Sequence, residues 1–201
     1  MNSGDELWRW ARTLGPARVR GKTLPRLFFF TDPVRTPDPL AVVARLPRGA
    51  GVVYRAFGDP KATATGRALV ASARRRGVIV LAGADPRLAA AIRADGVHLP
   101  ERAAWRACGL RRGRPRWIVT AAAHSPAAII RARGADAVFL SPVFASNSAS
   151  AGRPLGPLRF AQLLQLARTP VFALGGVNAA TARRLRGTKA AGLAAVEALL
   201  G

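Results

Sequence analysis

The sequence predicts an α/β protein of the (β/α)8 (TIM) barrel class, with an N-terminal helical extension and a truncated final helix. Eight short apolar runs recur at fairly even intervals. Each breaks into small or turn-forming residues, as buried parallel strands do. Between most of these runs lie Ala/Leu/Arg segments with helical spacing, an alternation that predicts right-handed parallel crossovers. Eight repeats are the number that a closed barrel needs.

The predicted strands lie at residues 27–31, 51–55, 78–82, 96–99, 117–120, 137–141, 171–174 and 193–196. The predicted helices lie at residues 39–46, 63–76, 86–94, 126–133, 158–168 and 179–185. In the third of these helices, Leu88, Ala91 and Ile92 share one stripe, which is typical of a helix with one buried face. A doubly wound open sheet is the alternative. It would place a glycine fingerprint after the first strand, where this chain has Thr31-Asp32-Pro33.

Residues 1–24 precede the first strand as the N-terminal extension, and residues 25–201 form the single barrel domain. Leu7, Trp8, Trp10 and Leu14 give the extension an apolar face, so we predict that it is helical. The sequence stops soon after the eighth strand, which leaves no eighth outer helix to form. We therefore expect the open flank of the barrel to be covered by residues 5–14 or by a second subunit in a homodimer.

The composition indicates one domain in a reducing compartment. A chain of 201 residues with 50% apolar content can bury one sizeable core. Cys108 is the single cysteine, so the chain has no intrachain disulfide, and this residue is interpreted as an inert packing residue. The sequence has neither the apolar stretch of a signal peptide nor a run of transmembrane length. We therefore expect a cytoplasmic protein without membrane contact.

The formal net charge is +22, from 32 basic and 10 acidic residues, and only three of the basic residues are lysines. One interpretation is a nucleic-acid footprint. The other is a compositional bias, because Ala and Arg are over-represented together along the whole chain. Basic and aromatic residues are not interleaved in the pattern that stacks bases. We therefore predict non-specific adhesion to polyanions at low salt and no specific nucleic-acid partner.

In a barrel of this class, reactive groups lie at the carboxyl ends of the strands. The residues that this rule selects are Asp32, Arg55, His98, Glu101, His124, Ser141, Ser146, Ser148, Gly175 and Gly176. His124 follows the fifth strand, and histidine is the residue type that suits proton transfer near neutral pH. His98 is a candidate residue of the barrel mouth. For either histidine, a purely structural role is the alternative.

A phosphate site is predicted where the seventh strand ends. Gly175 and Gly176 separate that strand from a helical segment, for which Asn178 is a candidate N-cap. Two glycines before a helix start let backbone N–H groups approach an anion closely. Arg55 ends the second strand, where its guanidinium could hold a phosphate, or it is one surface arginine among many.

Six motifs occur in order along the chain: Thr31-Asp32-Pro33, Asp95-Gly96-Val97-His98-Leu99, Ala123-His124-Ser125, Gly134-Ala135-Asp136, Ser141-Pro142-Val143-Phe144 and Leu174-Gly175-Gly176-Val177-Asn178. Over residues 27–200 this order resembles the thiamine phosphate synthase and thiazole tautomerase family. The resemblance implies a (β/α)8 barrel of thiamine biosynthesis. The synthase joins a pyrimidine pyrophosphate to a thiazole phosphate with Mg²⁺, and the tautomerase shifts a proton on a thiazole carboxylate phosphate.

The resemblance also shows where this chain departs from the synthase. The two carboxylates that hold Mg²⁺ fall on Ala84 and Ala103, so Mg²⁺ and other cofactors are not expected. The pyrophosphate loop Thr-x-Thr-Lys reads Ser146-Asn147-Ser148-Ala149, which keeps two hydroxyl groups and loses the lysine. The family has a polar segment after its second strand, and of its polar residues this chain keeps only Arg55. A serine of the family that contacts pyrophosphate falls on Ala122.

The thiazole-phosphate half of the site is better preserved. Gly175 and Gly176 match the phosphate-binding turn, whereas Val196 and Glu197 fall where the family has a hydrophobic residue and a serine. His124 falls on the proton-transfer histidine of the tautomerase. The resemblance thus implies a barrel that binds a phosphorylated thiazole or similar phosphate ester, and a metal-independent tautomerase activity. The open alternatives are a residual synthase that uses arginines, and a non-catalytic barrel that binds a phosphate ligand.

Overall fold

The computed structural model describes residues 3–146 and 152–199. The chain begins with helix α1 (Ser3–Thr13) and a short antiparallel hairpin of β1 (Arg18–Val19) and β2 (Lys22–Thr23). The extension is therefore helical only in its first half. The hairpin forms because Arg20 and Gly21 both adopt positive φ, at 49° and 74°, which is the two-residue turn that matches strand twist.

Eight parallel strands close into the predicted barrel. They are β3 (Leu27–Phe30), β4 (Gly51–Tyr54), β5 (Ile79–Gly83), β6 (Gly96–Leu99), β7 (Ile118–Ala123), β8 (Ala137–Leu140), β9 (Val171–Ala173) and β10 (Gly192–Ala195). Each strand pairs with the next along the chain, and β10 pairs with both β9 and β3 to complete the ring. The open-sheet alternative is therefore excluded.

Helices connect the strands on the outside of the barrel: α2 (Pro39–Arg45), α3 (Ala62–Arg75), α4 (Pro86–Ala91), α5 (Ala107–Gly113), α6 (Pro126–Arg131), α7 (Gly156–Leu164) and α8 (Ala179–Ala182). Short 3₁₀ segments extend three of them: Glu101–Arg106 before α5, Ala132–Gly134 after α6 and Arg183–Leu185 after α8. Asp38, Asp85 and Ser125 each cap a helix that starts with proline, by accepting hydrogen bonds from its first-turn N–H groups.

The inside of the barrel is an aromatic core. Phe139 packs edge-on against Phe28 and Phe30, with ring centroids 5.1 and 5.0 Å apart, and it lies 5.1 Å from Phe172 in a tilted arrangement. Gly51 and Gly192 make room for two of these rings, because a Cβ atom at either position would collide with Phe28 or Phe172. This packed core forms the floor on which the barrel mouth is built.

Helix α1 covers the flank beside the eighth barrel strand. It packs against α8 and against the 3₁₀ turn Glu197–Leu199 that follows β10. Leu7 and Ala11 on this helix are fully buried in the core that lies between barrel and helices. Of the two covers that the sequence allowed, the chain's own N-terminal helix is therefore present. No helix within the described ranges is long and apolar enough to cross a membrane.

Candidate functional site

A cavity of about 760 Å³ opens above the carboxyl ends of the barrel strands. It is floored by Phe30 and His98 and contains residues from loops that are distant in sequence. Seven residues of the predicted site line this cavity: Arg55, His98, His124, Ser141, Ser146, Gly175 and Val196. A mouth cavity of this size is typical of a small-molecule site.

A second cavity, of about 510 Å³, adjoins the first on the side of β9 and β10. Gly176 and Glu197 line it, together with Arg184 and Thr181. Arg35 contributes to the walls of both cavities, as do Ser146, Gly175 and Val196. The predicted site residues that the structure describes therefore line one two-chambered mouth, except Asp32 and Glu101, which bind the wall residues Arg35 and His124. Ser148 lies outside the described residues.

The glycine turn after β9 is constrained by its neighbours. Gly175 and Gly176 have φ values of 86° and 63°, a region that side-chain-bearing residues rarely adopt. A Cβ atom on Gly175 would lie 2.8 Å from Pro142 Cα, and one on Gly176 would collide with the carbonyl oxygen of Ala145. Among the described residues, no group accepts a hydrogen bond from either glycine N–H. Both glycines line the smaller chamber, and successive backbone N–H groups of this kind can bind an anion.

The short helix α8 that follows this turn starts with a capping box. Asn178 Oδ1 accepts from the Thr181 N–H at 2.9 Å, and Thr181 Oγ1 accepts from the Asn178 N–H at 2.9 Å. The Thr181 hydroxyl also donates to the Gly176 carbonyl at 2.9 Å. Asn178 is thus the N-cap that the sequence predicts. The cap ties the helix start to the glycine turn and holds the turn in place.

Charged residues around the two chambers are arranged in pairs. Arg35 Nη2 lies 2.8 Å from Asp32 Oδ2, and Arg35 Nη1 lies 3.1 Å from Glu197 Oε1. Hydrogen bonding from Arg35 lowers the pKa of Asp32 from 3.8 to about 2, with a smaller contribution from the charge of Arg55. Glu197, which replaces a serine of the family pattern, is therefore partly neutralised and faces a cation.

Arg55 is held at the end of β4 by backbone and aromatic contacts. Its Nε donates to the Thr31 carbonyl at 2.6 Å, and its guanidinium lies over the Phe57 ring, 5.2 Å from the centroid. Nη2 also reaches Asp32 Oδ2 at 3.3 Å. Arg55 thus lines the larger cavity, and its guanidinium is held by three partners.

His98 is buried at the floor of the larger cavity. Its Nδ1 lies 2.9 Å from Thr120 Oγ1, and its ring packs edge-on against Phe30 and Phe139. Desolvation, followed by the charges of Arg55 and His124, lowers the pKa of His98 from 6.5 to about 3. The imidazole is therefore neutral near neutral pH, where it can donate or accept a hydrogen bond but does not exchange protons as an acid–base pair.

His124 lies at the rim, directly after β7, with its side chain 49% exposed. Its ring Nδ1 is 2.8 Å from Glu101 Oε2, and its backbone N–H donates to the same oxygen at 2.9 Å. Arg131 Nη2 donates to the other carboxylate oxygen of Glu101 at 2.9 Å. The histidine that the sequence selects for proton transfer is thus oriented by a carboxylate and is open to the cavity.

Comparison with known proteins identifies the family to which the chain belongs. The sequence model of the thiamine monophosphate synthase family matches residues 28–199. The chain belongs to this family. A thiamine-phosphate synthase of Alcanivorax borkumensis is 30% identical over 188 residues, with 87% of this chain and 85% of that protein covered.

Two further members of the thiamine phosphate synthase group resemble this chain. A putative thiamine-phosphate synthase 2 of Aquifex aeolicus is 37% identical over 93 residues, a match that spans 45% of this chain and half of that protein. A solved thiamine phosphate pyrophosphorylase from Pyrococcus furiosus has the same fold, with a TM-score of 0.71, 23% identity and 85% of each chain covered.

The residues present do not fit the Mg²⁺ that synthase chemistry in this family requires. By the resemblance to the synthase, its carboxylate ligands fall on Ala84 and Ala103, and the Ala84 N–H donates to the His98 carbonyl at 2.7 Å. Asp59 and Asp85, the carboxylates that line the larger cavity, each accept hydrogen bonds from backbone N–H groups of their own segments, and Asp32 and Glu101 are paired with arginines. Within the described ranges, no three His, Cys, Asp or Glu side chains form a group that could hold a metal ion.

Arg35 and Arg184 were absent from the candidate residues that the sequence selected. Glu101 was among the candidates at the strand ends, but no pattern in the sequence indicated its contact with His124. Arg35 follows Asp32 by three residues, and this opposite-charge spacing was the available signal. Arg184, whose guanidinium lies 5.3 Å from the Phe144 ring centroid, was hidden among many arginines.

Proposed function

We propose that this protein binds a phosphorylated thiazole in its two-chambered mouth and shifts a proton on it without a metal ion. The observation that carries this proposal is the half-exposed His124, which lines the larger cavity with its ring Nδ1 bound to Glu101. An imidazole that is oriented by a carboxylate and opens to a ligand cavity is the arrangement that general acid–base catalysis requires.

In this proposal, the smaller chamber takes the phosphate. The N–H groups of Gly175 and Gly176 would donate to its oxygens, and the Arg184 guanidinium would balance its charge. Glu197 would not repel the phosphate strongly, because Arg35 neutralises part of its charge. The ring and carboxylate of the ligand would then lie in the larger cavity, between Arg55 and the two histidines.

The proton step needs one group that accepts a proton from carbon and returns it elsewhere on the same ligand. His124 would do both, so the ligand is isomerised, no electrons leave it and the imidazole is regenerated. His98, with its pKa lowered to about 3, would instead hydrogen-bond the ligand as a neutral imidazole. The carboxylate of the ligand would be paired by Arg55, which forms part of the same cavity wall.

A residual synthase that uses arginines is the second candidate. Two adjoining chambers could hold two substrates, and Arg35 and Arg55 bring positive charge to the larger one. However, loss of a single preorganised stabiliser of a leaving group costs about 3–4 kcal/mol of barrier. This chain lacks two carboxylate ligands and a lysine of the synthase pattern. We therefore rank the synthase activity below proton transfer.

Calorimetric titration and an isomerisation assay test the proposal together. Thiazole phosphate and its carboxylate should bind equally well with Mg²⁺ and with a chelator, whereas inorganic pyrophosphate should bind weakly in both conditions. His124→Asn should lower isomerisation turnover by ~10²–10⁴-fold and leave thiazole-phosphate affinity nearly unchanged. His98→Asn should lower turnover much less. Strong Mg²⁺-dependent pyrophosphate binding would favour the synthase, and a parent protein that binds without isomerising would favour a non-catalytic barrel.

A further inference from the structure

We infer that Glu101 is a positioning residue that keeps the proton of neutral His124 on Nδ1, so that Nε2 presents its lone pair to the larger cavity. This inference rests on the proposed proton transfer for its use, although not for its geometry. It assigns the ring nitrogen that acts as the base: Nε2 takes the proton from the ligand.

The argument begins with the contacts of one oxygen atom. Glu101 Oε2 lies 2.8 Å from His124 Nδ1 and 2.9 Å from the His124 backbone nitrogen. An ionised carboxylate only accepts hydrogen bonds, so the ring nitrogen that faces it must carry the proton. The neutral imidazole then has its proton on Nδ1 and its free lone pair on Nε2.

The same two contacts fix the orientation of the ring. Because Oε2 bridges the backbone nitrogen and Nδ1 of one residue, rotation about the His124 side-chain bonds would break the ring contact. Nδ1 and Nε2 lie on different edges of the imidazole, so the edge with Nε2 faces away from Glu101. His124 is among the residues that line the larger cavity, and its side chain is 49% exposed.

Arg131 completes the arrangement. Its Nη2 donates to Glu101 Oε1 at 2.9 Å, which leaves Oε2 for the histidine and holds the carboxylate in place. The three residues come from elements that pack together: the 3₁₀ segment Glu101–Arg106, the end of β7 and helix α6. The carboxylate is thus held by a guanidinium on one side and positions the imidazole on the other.

This arrangement defines the proton path. Nε2 forms a bond to a proton that leaves a carbon of the ligand, which makes the imidazole a cation beside the Glu101 carboxylate. The electron pair of the broken C–H bond stays on the ligand. The same proton, or one exchanged with water, then returns from Nε2 to another atom of the ligand. Glu101 itself gains no proton and stabilises the imidazolium that forms.

Nitrogen NMR of ¹⁵N-histidine-labelled protein tests the inference directly. The chain has two histidines, so the signals that disappear in His124→Asn belong to His124. At about pH 8.5, two units above the ordinary imidazole pKa near 6.5, the two ring nitrogens of a neutral imidazole report which one carries the proton. We expect His124 to carry it on Nδ1 in the parent.

Two variants remove the interaction in different ways. Glu101→Gln keeps the size of the side chain and loses its charge, and Glu101→Ala removes the acceptor. We expect the Nδ1–H form to be partly or wholly replaced by the Nε2–H form, most fully in Glu101→Ala. We also expect kcat to fall by about tenfold or more, up to the ~10²–10⁴-fold that the histidine supplies, with KM changed less than about twofold. Glu6→Gln, an exposed position on α1, is the matched control and should behave as the parent.

The outcomes separate this inference from the proposed function. If the parent carries the His124 proton on Nε2, or if both Glu101 variants retain the parent's tautomer, the inference is wrong whatever the activity. If the tautomer changes as expected but the parent isomerises no thiazole, the positioning role of Glu101 stands and the proposed reaction fails. Far-ultraviolet circular dichroism of each variant shows whether the barrel remains folded.

Discussion

The guanidinium of Arg20 holds both carboxylate oxygens of Asp136, with Nε 2.8 Å from Oδ1 and Nη2 2.6 Å from Oδ2. Arg20 lies in the turn of the β1–β2 hairpin, and Asp136 immediately precedes β8. The Asp136 side chain is 1% exposed and also accepts from the Val119 N–H at 2.9 Å. A bidentate pair between the buried Asp136 carboxylate and the partly exposed Arg20 guanidinium therefore fastens the hairpin to the barrel at the end opposite the mouth.

Asp136→Asn should lower the free energy of unfolding by about 1–3 kcal/mol, because the buried carboxylate loses its charge and its charge-assisted hydrogen bonds to Arg20 weaken. Urea denaturation measures this loss. Asp59→Asn, at an exposed turn, makes the same chemical change and should cost no more than about 0.5 kcal/mol. If both variants lose the same free energy of unfolding, the Arg20–Asp136 pair does not stabilise the fold more than an exposed carboxylate does.

Gly176→Ala should weaken thiazole-phosphate binding by about tenfold or more, equivalent to at least ~1.4 kcal/mol. The new Cβ atom would collide with the Ala145 carbonyl oxygen, so the turn that presents the N–H groups must shift. Calorimetric titration gives the change in affinity. Gly187→Ala is the matched control, because Gly187 also has positive φ, at 80°, but no atom lies within 4 Å of its Cβ position. Unchanged affinity in Gly176→Ala would exclude this turn as the phosphate site.

Stability should fall with pH below about 6.5 because of His98. Its pKa is about 3 in the folded state, against 6.5 for the free side chain, so in this window the unfolded chain binds the extra proton. The contribution is fully present above pH 6.5 and is lost as the pH falls toward 3, at up to about 1.4 kcal/mol per unit. Urea denaturation at pH 7, 6, 5 and 4 measures the slope.

His98→Gln, whose side chain does not titrate, should flatten that slope between pH 4 and 6. Asp32, with its pKa lowered to about 2, acts in a separate window: it stabilises above pH 3.8, and this contribution is lost as the pH falls from 3.8 to 2. A slope that is the same in the parent and in His98→Gln would mean that the buried imidazole is not the responsible group.

Leu7→Ala should destabilise the protein by about 2–5 kcal/mol, since this side chain on α1 is fully buried in the core around the barrel. Thermal or urea unfolding measures the effect. Leu158→Ala, at a position that is 76% exposed on α7, should change stability by less than about 0.5 kcal/mol. If both variants unfold alike, α1 is not an integral part of the fold.

The strands were predictable because buried parallel strands are apolar runs that end abruptly, and all eight lie where the sequence placed them to within a few residues. β7 extends to Ala123, beyond its predicted end, because pairing with β6 and β8 outweighs the low strand propensity of alanine. Helix α5 was missed because Gly109 and its neighbouring arginines obscure its periodicity. The β1–β2 hairpin was missed because its turn needs positive φ at Arg20, where arginine gives no signal.

Candidate site residues were predictable wherever a strand end placed them, which holds for Arg55, His98 and His124. Their environments were not. The neutrality of His98 arises from burial above the aromatic floor, and the orientation of His124 arises from a carboxylate 23 residues away. The link between Arg35 and Glu197 spans 162 residues and depends on closure of the barrel. Contacts of this kind follow from the tertiary fold and have no local pattern.

Arg35 lies in the walls of both chambers, and its guanidinium is already shared between Asp32 and Glu197. In the proposed binding mode, one ligand places its phosphate in the smaller chamber and its ring in the larger one, so both parts would act on the same guanidinium. Thermodynamic linkage would then couple the two parts by the same factor in both directions. The two ends of the ligand would therefore not contribute independently to its affinity, and a single arginine side chain would be the connection.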